Sequence, residues 1–91
     1  MTHESLEKIG AANEQTMLRF CVEDLEFALT HLELSGIVSD EHYRERQLAS
    51  ARKLYERARY VLARLPRASV DKTHIPEMLT RVEEVLGRVQ R

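Results

Sequence analysis

Helix-breaking residues are rare in this chain of 91 residues, and their positions constrain its fold more than any other feature. There are three glycines and two prolines, and only two stretches combine them with polar turn residues. The first stretch, Ser35 to Asp40, contains Gly36, and the second runs from Pro66 to Lys72. Because Gly often caps a helix and Pro cannot continue a helix interior, the sequence predicts three helices separated by these two breaks.

The pattern places the three helices at about residues 4–34, 41–65 and 74–89. Gly36 is expected to cap the first helix, Ser39 or Asp40 to begin the second, and Thr73 to begin the third. Short connections make consecutive helices antiparallel neighbours. We therefore predict an all-α single domain over residues 1–91, an up-down-up three-helix bundle. The alternative is a long helical hairpin with the third helix docked elsewhere.

The second helix carries apolar residues three and four positions apart, as in a coiled-coil-like helix that packs along its neighbours. Within it, Ala51-x-x-x-Tyr55-x-x-Ala58 resembles the second helix of a tetratricopeptide repeat. The preceding helix of such a repeat should carry its own aromatic, leucine and glycine signature, but in this chain that region is the break from Gly36 to Asp40. Small alanines that face a neighbouring helix account for the string, so the chain is not assigned to that family. The third helix is amphipathic in the same way, with apolar residues at Ile75, Met78, Leu79, Val82, Val85, Leu86 and Val89.

The first helix differs because its apolar residues form two faces. The first face comprises Leu18, Cys21, Val22, Leu25, Ala28, Leu29 and Leu32. The second face lies roughly 130° around the helix. Its apolar members are Leu6, Ile9, Met17, Phe20 and Phe27, with Asn13, Asp24 and His31 among them.

A three-helix monomer needs only one of these faces, and a large exposed apolar patch usually marks a contact site. The sequence therefore predicts self-association through the first helix, most simply as a symmetric homodimer. The predicted contact residues are Leu6, Ile9, Met17, Phe20, Phe27 and His31. The alternatives are that the third helix or the chain termini cover this face, or that a different protein binds it.

Charge is unevenly distributed although the formal net charge is −1. Residues 1–38 carry seven acidic and two basic side chains, and residues 39–69 carry four acidic and eight basic ones. We interpret this as an acidic first helix lying beside a basic second helix. The alternative hypothesis is nucleic-acid binding, because four cations beside Tyr60 form a row that could follow a phosphate backbone. These cations are Arg46, Lys53, Arg57 and Arg64.

The sequence contains no motif for catalysis, metal binding or a cofactor. Its histidines are widely separated, and its glycines are isolated, so no phosphate-binding loop is present. The single cysteine, Cys21, cannot form an intrachain disulfide, which favours a reducing compartment. No segment approaches the roughly 18 consecutive apolar residues of a membrane span. We therefore expect a cytoplasmic, non-enzymatic protein-protein interaction module, without contact with a membrane.

Overall fold

The computed structural model of this chain describes the backbone of residues 3–89 and the side chains of residues 13–88. This part of the chain is all-helical and forms a helical bundle. Its elements are α1 (His3–Ile37), α2 (Glu41–Leu62), the short α3 (Arg67–Asp71) and α4 (Ile75–Val89). α1 packs mainly against α2 and to a smaller extent against α4.

The break between α1 and α2 differs from the prediction on one side. α1 continues through Gly36, which does not adopt a positive φ, so the predicted C-cap at this glycine is wrong. The structure shows another partner for the carbonyl groups at this end of α1. Arg44 of α2 donates from Nε to the carbonyl oxygen of Ser35 (3.2 Å) and from Nη2 to that of Val38 (2.9 Å). Because these side-chain hydrogen bonds satisfy the carbonyl groups, the helix end does not require a left-handed glycine.

The start of α2 follows the sequence. The carboxylate of Asp40 accepts hydrogen bonds from the backbone N–H groups of His42 (2.9 Å) and Tyr43 (3.3 Å). This is the bonding of an N-cap residue, which satisfies donors that the first turn leaves without a helical partner. The predicted N-cap at Asp40 is confirmed.

The second break contains a helical segment that the sequence analysis missed. α2 ends at Leu62, three residues before the predicted end, and the segment after Pro66 forms α3. The carbonyl oxygen of Pro66 accepts hydrogen bonds from the N–H groups of Ser69 (3.0 Å) and Val70 (3.2 Å). Pro66 is the N-cap residue of α3, a position whose own N–H has no partner within the helix, so the N–H that proline lacks is not needed there.

α4 begins one residue after the predicted start. The hydroxyl oxygen of Thr73 accepts from the N–H of Ile75 (3.1 Å), and its O–H donates to the carbonyl of Val70 (2.6 Å). Thr73 therefore connects the end of α3 to the start of α4.

The hydrophobic core lies between α1, α2 and α4. Its buried members are Cys21, Leu25, Ala28, Leu32, Ala51, Ala58, Ile75, Val82 and Leu86. The first apolar face predicted for α1 is confirmed, since its residues are either buried in this core or packed against it.

The contacts between α1 and α2 run in opposite directions along the two helices. The Cys21 thiol lies 3.7 Å from the carbonyl oxygen of Ala58, and Ser35 contacts Arg44. The two helices therefore form an antiparallel pair. Ala51 and Ala58 of α2 have no exposed surface and face α1. Because their side chains are small, the backbones of the two helices can approach each other closely.

Candidate functional site: an apolar groove between α1 and α2

The second apolar face of α1 is exposed at its two phenylalanines and partly covered at the residues between and beside them. Phe20 and Phe27 are each 58% exposed, whereas Met17 and His31 are half-buried. The predicted contact residues Leu6 and Ile9 lie outside the described side chains. Met17, Phe20, Asp24, Phe27 and His31 follow one another at spacings of three and four, which places them in a single stripe along α1.

This stripe borders a groove between α1 and α2. Met17 and Phe20 line it from α1, Val61 lines it from α2, and Asp24 and Arg57 complete its wall. The cavity has a volume of about 300 Å³ and its surface is mostly apolar. We call it the α1–α2 groove.

The α1–α2 groove and α4 lie on opposite sides of the helix pair. On the α4 side, the Tyr55 hydroxyl donates a hydrogen bond of 2.7 Å to Glu83 of α4. At about 100° per residue, Tyr55 lies on one side of the buried Ala58, and Arg57 and Val61 lie on the other. α4 thus covers one side of the α1–α2 pair, and no described residue of another helix lines the groove on the other side.

The wall of the groove contains a buried carboxylate. Asp24 is 7% exposed and receives two hydrogen bonds from the Arg57 guanidinium, from Nε to Oδ2 (2.9 Å) and from Nη2 to Oδ1 (2.5 Å). This paired geometry is the strong, directional form of a carboxylate–guanidinium contact, and it compensates the buried charge. The hydrogen bond to Asp24, and then the carboxylate charge, raise the pKa of Arg57. The other side of Arg57 stays open, with 65% of its side chain exposed.

A second polar contact joins the same two helices further along the stripe. Nδ1 of His31 and Oε1 of Gln47 form a hydrogen bond. Polar residues at apolar seams fix the register between helices, because an alternative register would leave them without partners. Asp24–Arg57 and His31–Gln47 therefore fix α1 against α2 in one register.

The predicted basic row lies along the α2 rim of this groove. Arg46, Lys53, Arg57 and Arg64 are all exposed, and Arg57 bonds to Asp24. The guanidinium of Arg64 lies 3.6 Å from the centre of the Tyr60 ring and donates to the Tyr60 carbonyl (2.9 Å). The structure therefore brings the apolar stripe and the basic row together as neighbouring parts of one surface.

Among the described residues, few of the opposite charges on α1 and α2 form ion pairs with each other. Among residues 13–88, Asp24–Arg57 is the one ion pair that joins the two helices. Glu26 and Glu33 of α1 are exposed, as are Arg46 and Lys53 of α2, and none of these four makes an ion pair with a described residue. The sequence analysis interpreted the charges as pairing α1 with α2. Among the described residues, one ion pair, Asp24–Arg57, fits this interpretation.

The remaining titratable contacts lie on the α4 side or in the core. Burial, followed by the negative charge of Asp24, raises the pKa of the Cys21 thiol to about 11. Burial also raises the pKa of Tyr55, and its hydrogen bond to Glu83 acts in the same direction. A second cavity of about 300 Å³ lies beside Tyr55 and Glu83 between α2 and α4. No group of three metal-ligating side chains comes together within the described residues.

Comparisons with protein-family models, with curated proteins and with solved structures found no match to this chain. Within residues 3–89, no helix combines the length and apolar character needed to cross a lipid bilayer. The sequence analysis did not identify the Asp24–Arg57 pair, because it placed these two residues on separate surfaces. The feature of the sequence that could have indicated this pair is a single acidic residue within the apolar stripe of α1, together with a basic residue on the helix that packs against it.

Proposed function

We propose that this protein is a non-enzymatic, cytoplasmic interaction module that self-associates through α1. In this proposal an up-down-up bundle of the three long helices is completed by a second copy. The observation that supports the proposal is the α1–α2 groove, which is open on the side away from α4 and is lined by Phe20. Phe27 lies further along the same stripe of α1, and each of the two phenylalanines is 58% exposed.

The exposed phenylalanine surface is large enough to matter for association. A phenylalanine side chain can bury on the order of 200 Å². Because Phe20 and Phe27 are 58% exposed, covering each would remove on the order of 100 Å² from water, worth roughly 2.5 kcal/mol at about 25 cal/mol per Å². A symmetric dimer contains four such side chains, so they contribute about 10 kcal/mol. This gain is comparable to the estimated cost of association, about 4–15 kcal/mol, so both residues should be needed.

The test is the absolute mass in solution, measured by light scattering on a sizing column across a range of concentrations. We expect a dimer for the native chain and a monomer, at the same concentrations, for the double variant Phe20→Ser and Phe27→Ser. Ile37→Ser is the matched control, because Ile37 is 80% exposed on the same helix but lies outside the stripe that contains Phe20 and Phe27. A native chain that is monomeric throughout, or a double variant with unchanged mass, would reject the proposal.

Nucleic-acid binding is the second candidate. It is favoured by the exposure of Arg46, Lys53 and Arg64 along one rim of the groove, although Arg57 of the same row is engaged by Asp24. Phosphate contacts release counterions, so affinity for duplex DNA or RNA should fall steeply with salt and on charge reversal at Arg46 and Lys53. Binding that does not respond to salt or to these substitutions would exclude this candidate.

A further inference from the structure

We infer that the α1–α2 groove also accepts an amphipathic helix of another protein, with acidic residues on the flank of that helix that lies over α2. This inference goes beyond the proposed self-association, because it concerns a different occupant of the groove. Both occupants cover the exposed phenylalanines of α1, so a bound helix and a second copy exclude each other. The shape, the apolar surface and the charge of this side of the molecule support the inference.

The shape of the groove is that of a site for a third helix. The α1–α2 pair has two sides, and α4 already occupies one of them. α4 packs on the pair through its buried residues Ile75, Val82 and Leu86, and its Glu83 accepts a hydrogen bond from Tyr55 of α2 (2.7 Å). On the other side, no described residue of a third helix lines the groove between the same two helices. An apolar groove of this kind accepts the apolar stripe of an amphipathic helix.

The apolar stripe of α1 and the basic row of α2 run side by side along this groove. The contact of Cys21 with Ala58 sets the register of the antiparallel pair. Phe20 is therefore level with position 59 of α2, and Phe27 is level with position 52. The basic row extends over positions 46–64, so cations lie across from both phenylalanines. A helix that covers the phenylalanines therefore lies beside the basic row over its whole contact.

The cations of the basic row point to the side on which the groove opens. At about 100° per residue, the four members of the row fall within about 40° of one another around α2. Val61, which lines the groove, is about 40° from Arg57 in the direction of α1. Glu45 and Glu56 of α2 lie on the opposite side of the row, roughly 60° or more from each of its members. The α2 half of this face is therefore cationic.

The acidic residues of α1 do not neutralise this row. Asp24 is the acid within the stripe, and Arg57 already engages it. Glu26 and Glu33 lie about 100° or more around α1 from every residue of the stripe, so they point away from the groove. Glu23 borders the stripe on the side remote from α2. The other three cations of the row make no ion pair within residues 13–88.

These features together define the chemistry of the occupant. Its apolar stripe covers Met17, Phe20 and Val61, and its acidic flank lies over the unpaired cations, because complementary charges select a partner and fix its orientation. A nucleic acid would meet the cations but has no apolar side chains to fill a cavity of about 300 Å³. A lipid surface is flat on this scale and does not match a concave groove. An acidic amphipathic helix satisfies both halves of the face.

A pair of designed peptides tests this inference. Both are helices of about 21 residues, roughly 32 Å long, with leucines at spacings of three and four. One carries glutamates along one flank of the leucine stripe, and the other carries lysines at the same positions. Fluorescence anisotropy of each labelled peptide with the full chain measures its dissociation constant. We expect the glutamate peptide to bind at least about tenfold more tightly at low salt, and higher salt to reduce the difference.

Charge reversal in the basic row should remove this preference. Arg46→Glu with Lys53→Glu converts two of the three unpaired cations into acids, so the glutamate peptide should bind at least about tenfold more weakly. The matched control is Lys72→Glu with Arg81→Glu, which makes the same change of net charge at exposed positions outside α1 and α2. This control should bind both peptides like the native chain. Circular dichroism checks that every variant is folded.

The apolar half of the face needs its own variant. Phe20→Ser with Phe27→Ser should weaken the binding of both peptides, because each peptide covers these side chains with its leucines. Absolute mass then shows whether the two occupants compete. We expect the glutamate peptide to convert a dimer of the native chain into a complex of one chain with one peptide.

Equal affinity for the two peptides, or binding that does not change in the phenylalanine variant, would overturn this inference. Tighter binding of a short DNA duplex or of phosphatidylserine vesicles than of the glutamate peptide would also overturn it, and would identify a nucleic acid or a membrane as the occupant. A native dimer that depends on Phe20 and Phe27 but does not bind the glutamate peptide would reject this inference and leave self-association in place. A monomer that binds the peptide with the expected charge dependence would reject self-association alone.

Discussion

The close approach of α1 and α2 at Ala58 predicts a large and specific effect of side-chain size. Ala58 has no exposed surface, and its carbonyl oxygen lies 3.7 Å from the Cys21 sulfur. Ala58→Leu would add three carbon atoms where the two helices meet. Overpacking of a tightly packed core costs about 1–3 kcal/mol, because neighbouring side chains or backbones have to move.

The expected change in melting temperature follows from the chain length. At about 2.1 cal/mol/K per residue, unfolding of this chain has an entropy of roughly 190 cal/mol/K. A loss of about 2 kcal/mol therefore lowers Tm by roughly 10 °C. Thermal denaturation followed by circular dichroism at 222 nm measures this directly. A low protein concentration keeps any contribution from self-association small.

Ala49→Leu is the matched control for this prediction. It makes the same chemical change on the same helix at an exposed position. Leu and Ala have similar helix propensities, so the free energy of unfolding should change by only a few tenths of a kcal/mol. If the Ala58→Leu and Ala49→Leu variants melt at the same temperature, the conclusion that α1 packs closely on α2 at Ala58 is wrong.

Two further predictions concern the core and the groove. The Cys21 thiol, whose pKa is raised to about 11 from an ordinary value of 9.0, should react with thiol reagents only on unfolding. The unfolded state loses this proton at a lower pH than the folded state, so stability should fall between about pH 9 and 11, and Cys21→Ala should remove that part of the decline. Arg57→Gln should destabilise the fold more than Arg46→Gln, because it leaves the buried Asp24 carboxylate without its partner. Chemical denaturation would measure both, and equal effects of the two arginine substitutions would contradict the pairing.

The sequence predicted the helices best where local chemistry sets their ends. Asp40 begins α2 because its carboxylate bonds to nearby N–H groups, and such contacts are visible in a local pattern. The end of α1 was not predictable in the same way. There, the side chain of Arg44 from the next helix donates hydrogen bonds to the carbonyl groups that a glycine cap would otherwise satisfy. A contact between residues of two elements depends on how those elements pack, which the local pattern does not contain.

The same reason explains the limits of predicting the site. Periodicity alone identified both surfaces, because a face of a helix can be computed from residue spacing. Their adjacency depends on which α2 residue lies level with which α1 residue, and that register is defined by contacts such as Cys21–Ala58 and Asp24–Arg57. Once the register is known, the apolar stripe of α1 and the basic row of α2, which suggested two different functions, are seen to lie on the two sides of one groove.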